Sequence, residues 1–154
     1  YNEIVNLAEK YNLKSVYISF HLENLKTMRK LDTTSKMYYL VQKISEKDIE
    51  DARSILDCGI DFNGNKEANF KNDILKKCRD QGLDLGAWTI NDPEVMKKLE
   101  KNGVTLITTD SIEYKNGNLH YIRKMSCKAV EFVKENGKIL VNWYIYYKKV
   151  TILL

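Results

Sequence analysis

The sequence predicts an α/β fold: about five parallel strands alternating with helices, the C-terminal part of a TIM-type (β/α)8 barrel, followed by a small antiparallel β appendage. Three observations carry this expectation. Strand-like and helix-like segments alternate with short connections through residue 110, and a strand returning parallel to its predecessor needs a crossover of that length. The strand segments are apolar along their length, as when both faces of a sheet are covered. Neither G-x-G-x-x-G nor G-x-x-x-x-G-K-[ST] occurs, which removes the usual phosphate loops of open doubly wound sheets. A complete barrel takes about 250 residues and eight strands, so 154 residues with five strands make a partial one.

Each element follows from local pattern. "NEIVNLAEKY" places Ile4, Val5, Leu7 and Ala8 at helical spacing, and "SVYISF" (15–20) is a compact β-branched and aromatic run. "ENLKTMRKL" then carries Leu25, Met28 and Leu31 on one helical stripe. "KMYYLV" (36–41) is the second strand. Ser45, with Asp48 three residues on, can cap a helix bearing Ile49, Ala52 and Ile55. "CGIDFN" (58–63) is the third strand, and "FKNDILKKCRDQG" (70–82) is a helix through Phe70, Ile74, Leu75 and Cys78 with Gly82 as its stop. "DLGAWTI" is the fourth strand. Asn91 or Asp92 caps the next helix, Pro93 fits its first turn, Gly103 ends it, and "VTLITT" is the fifth strand.

The character changes near residue 112. "YKNGNLHYIRK" and "VEFVKENGKILVNWYIYY" each hold an Asn-Gly pair, Asn116-Gly117 and Asn136-Gly137, a strong short hairpin signal. A two-residue turn at the second pair sets Val130 opposite Trp143, Phe132 opposite Val141 and Glu131 opposite Asn142. The expected division is therefore 1–112, the partial barrel, and 113–154, a hairpin-rich appendage.

Composition narrows the function classes. A net charge of +4 from 25 basic and 21 acidic residues, scattered through helices, describes solvated faces and no nucleic-acid patch. Cys58, Cys78 and Cys127 lack C-x-x-C spacing and are odd in number, so free or buried thiols are expected over a disulfide framework or a zinc site. No run of 18 apolar residues exists to form a transmembrane segment. The first residue is Tyr1; an N-terminal portion, with or without a signal peptide, is expected upstream, and a cytoplasmic location is the working expectation.

Barrel strands end at the active-site mouth. That rim receives Phe20, Asn63, Trp88, Asn91, Thr109 and Asp110, an aromatic and polar set suited to a small polar ligand with an apolar side. The plainer alternative is that Trp88 plugs the barrel top and Asn91 only caps a helix.

The stretch "AWTINDPEVMKKLEKNGVTLITTD" resembles the C-terminal signature of the glycerophosphodiester phosphodiesterase family: a strand ending Trp-Thr-x-Asn, a helix, a Gly-Val pair and a strand ending Ile-x-Thr-Asp. "VYISFHLENLKTMRKLD" resembles the family's strand ending Ser-Phe and the helix after it. The likeness covers about residues 1 to 112, in matching order and spacing. It departs where the family often has Pro after the final Thr-Asp and this chain has "SIEY".

The resemblance implies hydrolysis of glycerophosphodiesters to glycerol 3-phosphate and an alcohol, a reaction of lipid metabolism. In the family a divalent metal (Mg or Ca) polarises a phosphoryl oxygen, one histidine protonates the leaving alkoxide and another acts as base or nucleophile. It further implies that the catalytic His-Arg-Gly, the acidic pair, the His-Asp and a further Glu lie in the first three strands. None of these occurs here: His21 opens a helix and His120 lies in the appendage. No catalytic residue and no metal ligand is therefore assigned to this chain, and its partner is the missing N-terminal half of the barrel. The implied roles here are substrate binding by Trp88 and Phe20, and rim or structural roles for Asn91, Thr109 and Asp110. The competing expectation, of a different class, is a non-catalytic binding or scaffold module derived from half a barrel. Without its missing neighbours the edge of "SVYISF" is expected to be bare.

Overall fold

In the computed structural model the residues described are 1–71, 73–115, 118–121, 128–135, 138–144 and 151–153, from residue 113 onward as backbone only. Helices and strands alternate: α1 (Asn2–Lys10), β1 (Val16–Ser19), α2 (Leu22–Leu31), β2 (Lys36–Val41), α3 (Glu46–Arg53), β3 (Cys58–Asn63), α4 (Ile74–Asp80), β4 (Leu85–Trp88), α5 (Pro93–Lys101) and β5 (Leu106–Thr109). Strands β1 to β5 pair in sequence order and all parallel, a half-barrel in which every strand exits at the same end.

Register divides the strand residues between two faces. Tyr17, Met37, Ile60, Phe62, Leu85, Ala87 and Ile107 pack in one buried cluster with helix residues such as Leu25, Met28, Ile49, Leu75, Met96 and Leu99. Their neighbours in the chain point the other way, to the inner face. There Leu40 pairs with Asp61, Asp61 with Gly86, and Gly86 with Leu106 across four adjacent strands. Burial on both faces is why the strands read as unbroken apolar runs.

The helix ends follow capping chemistry. Ser45 and Asp48 form a reciprocal capping box on α3. Asp92, not Asn91, caps α5 by accepting from the Glu94 N–H at 2.8 Å, with Pro93 following. Gly82 and Gly103 end their helices at φ of +77° and +80°. Two helix expectations shift. Ile55 lies past the end of α3, its N–H held by the Ala52 carbonyl. Phe70 belongs to a short 3-10 helix, Glu67–Phe70, separated from α4 by Asp73 at φ +52°, a left-handed conformation that breaks helical continuity.

Beyond β5 the backbone forms strands Ile112–Lys115 and Asn118–Tyr121, paired antiparallel, and Lys128–Glu135 and Lys138–Tyr144, paired antiparallel with Val130 opposite Trp143 and Phe132 opposite Val141. The Asn-Gly pairs at 116–117 and 136–137, and Cys127, lie outside the described residues. Lys128–Glu135 runs antiparallel along β5, and Thr151–Leu153 runs parallel along β1, where a bare edge was expected. Among the described residues no helix is long and apolar enough to cross a membrane.

The two left-handed glycines yield a graded test. Gly82→Ala meets open space and should lose about 1 kcal/mol from backbone strain alone. Gly103→Ala should lose more, because the added carbon falls 2.7 Å from Arg79 Cδ and would displace Arg79 from the Asn102 carbonyl. Urea unfolding of the two variants should rank them in that order; equal losses would show that Arg79 yields freely.

Candidate functional site

The strand exits bring together the residues that the sequence placed at a rim. Phe20 follows the last residue of β1 and Trp88 is the last of β4; their rings meet edge to face, centroids 5.6 Å apart. Phe20 is 45% exposed and Trp88 is partly buried. The indole N–H of Trp88 donates to the backbone carbonyl of Asp61 at 3.1 Å, which fixes the ring on the inner side of β3. An edge-to-face pair of this kind contributes about 0.5–1.5 kcal/mol beyond its buried area.

Amide side chains tie the neighbouring loops together. Asn63 Nδ2 donates to Gln42 Oε1 at 3.0 Å, and Asn65 Nδ2 to the Thr89 carbonyl at 2.9 Å. Asn69, fully buried, donates to the carbonyls of Gln42 and Asn63 and accepts from the Ile44 N–H. These bonds satisfy backbone groups that irregular loops would otherwise leave unpaired.

Asn91, Thr109 and Asp110 also come together. Asn91 Oδ1 accepts from the Thr109 hydroxyl at 3.2 Å and from the Asp110 N–H at 2.9 Å. Thr109 is completely buried on the helix side, and its Oγ1 accepts from the N–H groups of Ser111 and Ile112. This trio staples the exits of β4 and β5 to each other. Asn91 is exposed and Asp110 partly exposed at these strand exits.

His21 is an exposed residue at the start of α2 and makes no side-chain cap; the Ser19 hydroxyl accepts from its backbone N–H instead. His120 belongs to the backbone-only region. Cys58 and Cys78 are free and buried, and burial pushes their thiols up to about 12 and about 11, which leaves them poor nucleophiles. Among the described residues no group of three or more His, Cys, Asp or Glu could hold a metal ion. The side chains described therefore do not fit a divalent-metal centre.

One residue at this site was not singled out by sequence pattern. Asp61 is 1% exposed on the inner face of β3, and among the described residues neither carboxylate oxygen has a hydrogen-bond partner. Burial alone drives its pKa well above the usual carboxylate range. The carboxyl lies against Gly86, where a Cβ would come within 2.9 Å of Oδ1. A charged residue inside the apolar run "CGIDFN", with a glycine opposite it, was the available signal.

The strand exits thus gather two rings, neutral amide side chains and the Asp110 carboxyl, with the buried Asp61 on the inner face of β3. The glycerophosphoryl diester phosphodiesterase family profile matches residues 2–114, well over half of the chain. The chain belongs to that family. A solved structure, a glycerophosphodiester phosphodiesterase from Parabacteroides distasonis ATCC 8503, is 27% identical with a TM-score of 0.54. The likeness covers 71% of this chain and 47% of that one, so this family member spans about half the length of its solved relative. Among curated proteins none matches.

Asp61 makes a pH prediction. Its folded pKa lies above the unfolded value of about 3.9, so between the two the folded state keeps a proton that the unfolded state has lost. The stability this group permits is full below about pH 4 and falls as pH rises toward the folded pKa. Asp61→Asn should remove that fall and be more stable than the parent at neutral pH, the gap closing in acid. Urea midpoints across the range measure it, and parallel profiles for the two proteins would refute a neutral Asp61.

Proposed function

We propose that this chain is the C-terminal portion of a glycerophosphodiester phosphodiesterase, an enzyme that hydrolyses glycerophosphodiesters to glycerol 3-phosphate and an alcohol, and that it supplies the substrate wall and not the catalytic groups. The observation that carries the reading is the Phe20–Trp88 pair, standing at the strand exits of a chain matched to the family over residues 2–114. Trp88 packs on the glycerol carbons with Phe20 beside it, giving an apolar surface next to the charged phosphate. The Asn91–Thr109–Asp110 staple holds the exit of β4, and hence Trp88, at a fixed depth. The metal of this reading, Mg or Ca, and the histidines that move protons belong to strands outside this chain.

A second reading is a non-catalytic binding or scaffold module, with residues 1–112 as the partial barrel and 113–154 as an appendage. What favours it is the pairing of C-terminal strands on both edges of the five-stranded sheet, Thr151–Leu153 beside β1 and Lys128–Glu135 beside β5. Such strands would occupy the edges that further barrel strands need. The residues encoded upstream of Tyr1 decide between the two. A His-Arg-Gly and an acidic pair there support the enzyme; a start codon or an unrelated domain supports the module.

Residues 1–154 alone should release no glycerol 3-phosphate from glycerophosphodiesters, with or without added divalent metal. Metal-dependent release clearly above blank would overturn this and return His21 to consideration.

In the longer enzyme, Trp88→Ala should lower kcat/KM by an amount corresponding to about 2–4 kcal/mol, the scale for losing a well-packed large side chain. Trp88→Phe keeps most of the volume but reshapes the surface offered to the ligand. A lower Tm with unchanged kinetics in these variants would make Trp88 a core residue; lost kcat/KM at unchanged Tm would make it the wall.

A further inference from the structure

We propose that Asp61 is the polar floor of a ligand pocket covered by the Phe20–Trp88 ring pair, where its carboxyl hydrogen-bonds a hydroxyl of a small polyol group. The identity of that group, the glycerol end of a phosphodiester, rests on the reading above; the covered pocket does not.

The geometry begins with register. β1 and β4 are separated by β2 and β3, three strand spacings or roughly 14 Å at the usual 4.7–4.9 Å each. Yet the Phe20 and Trp88 centroids are 5.6 Å apart. The two side chains must therefore lean toward each other over the inner faces of β2 and β3. The inner residues at that level are Leu40 and Asp61: Phe20 continues β1 one step past the Ser19–Tyr39 pair, hence opposite Leu40, and Leu40 pairs with Asp61. Trp88 is in addition anchored to the Asp61 carbonyl itself. The rings form a lid, and Asp61 lies beneath it.

The floor has the form of a built site. A carboxyl buried to 1% exposure with no hydrogen-bond partner among the described residues is costly to keep, because its polar atoms have given up water for nothing in return. Gly86 leaves the space that the carboxyl fills, and any larger residue there would collide with it. Leu40 and Leu106 flank it in the same register row and offer it no polar atom. An internal role in folding would be better served by leucine. A protonated carboxyl can donate and accept at once, which matches an alcohol hydroxyl; a phosphate would find no cation in the row.

Two measurements on the 154-residue chain test this. The first is amidation by a water-soluble carbodiimide and glycine ethyl ester, in which the carboxyl and the amine form an amide and the carbodiimide takes up the water as a urea. The tryptic peptide 54–66 holds both Asp61 and Asp57, and the exposed Asp57 serves as the internal control. Asp57 should react in every variant. Asp61 should react more slowly than Asp57 in the parent and clearly faster in Phe20→Ala. Equal Asp61 labelling with and without the ring overturns the lid and with it the pocket.

The second is titration of Trp88 emission in a Trp143→Phe background with glycerol 3-phosphate, with inorganic phosphate as the control. Asp61→Leu should weaken glycerol 3-phosphate at least about tenfold, as when a polar site loses its hydroxyl partner. Asp61→Asn, which also donates and accepts, should stay within about threefold. Inorganic phosphate should not distinguish the variants. Binding to Asp61→Leu as tight as to the parent overturns the role of the carboxyl even if Phe20→Ala abolishes binding and so upholds the wall. No response of the parent to glycerol 3-phosphate, with Asp61 labelling still controlled by Phe20, overturns the glycerol assignment and the diester reading while the covered pocket stands.

Discussion

Parallel pairing of β1 to β5 is the constraint on which everything else rests. It sends all five C-terminal strand ends to one end of the sheet, so residues far apart in sequence, Phe20, Asn63 and Trp88, converge without any element having to turn back. It also assigns every strand residue to the helix side or the inner side, and a one-residue slip would reverse the assignment for the whole strand. In the observed register Ile60 and Phe62 enter the core under the helices, and Asp61 is left facing inward. Phe62, packed edge to face on Phe70, helps hold that register from the helix side.

Polar residues that close the strands serve mainly to fasten the exits. A strand that stops in an irregular loop releases N–H and C=O groups that must find partners. Asn69 satisfies the loops after β2 and β3 together, and Asn91 with Thr109 satisfies those after β4 and β5. Capping and rim duties had competed for Asn91 on sequence alone. Asp92 takes the cap, which frees the Asn91 carbonyl oxygen to join two strand ends. The exits of β4 and β5 are thereby held to each other where Trp88 leaves the sheet.

Much of this was legible in the amino-acid pattern because the signals were local. The Ser45–Asp48 box, Pro93 after Asp92, and Gly82 and Gly103 each determine one helix end through backbone chemistry within a few residues. The family blocks located Phe20 and Trp88. What escaped was non-local. Strands buried on both faces show no alternation, so "CGIDFN" does not declare which of its residues face inward; only its pairing with Gly86 does. Phe70 fitted the helical stripe of α4, yet a left-handed Asp73 set it in a separate turn, where it packs on Phe62. Backbone handedness at a single aspartate leaves no periodic trace.

The composition of the wall bears on how such a barrel divides its work. Phe20, Trp88, Gln42, Asn63 and Asn65 offer rings and neutral amides, Asp110 stands at the β5 exit, and Asp61 on the inner face of β3 is driven toward its uncharged form by burial. A phosphodiester carries its charge at one end and apolar carbons beside it. A surface of neutral groups can hold the carbons without competing for the phosphate, since an ionised carboxylate close by would repel it. Keeping Asp61 buried and neutral thus suits the anionic ligand proposed for this inner face. Because a charge placed in a low-dielectric mouth acts strongly on its neighbours, the proposed reading mounts the groups that meet the phosphate on the opposite side of the barrel, away from the rings and amides. On the proposed reading, that separation gives a half-barrel of this composition a physical reason to serve as the wall beside the phosphate.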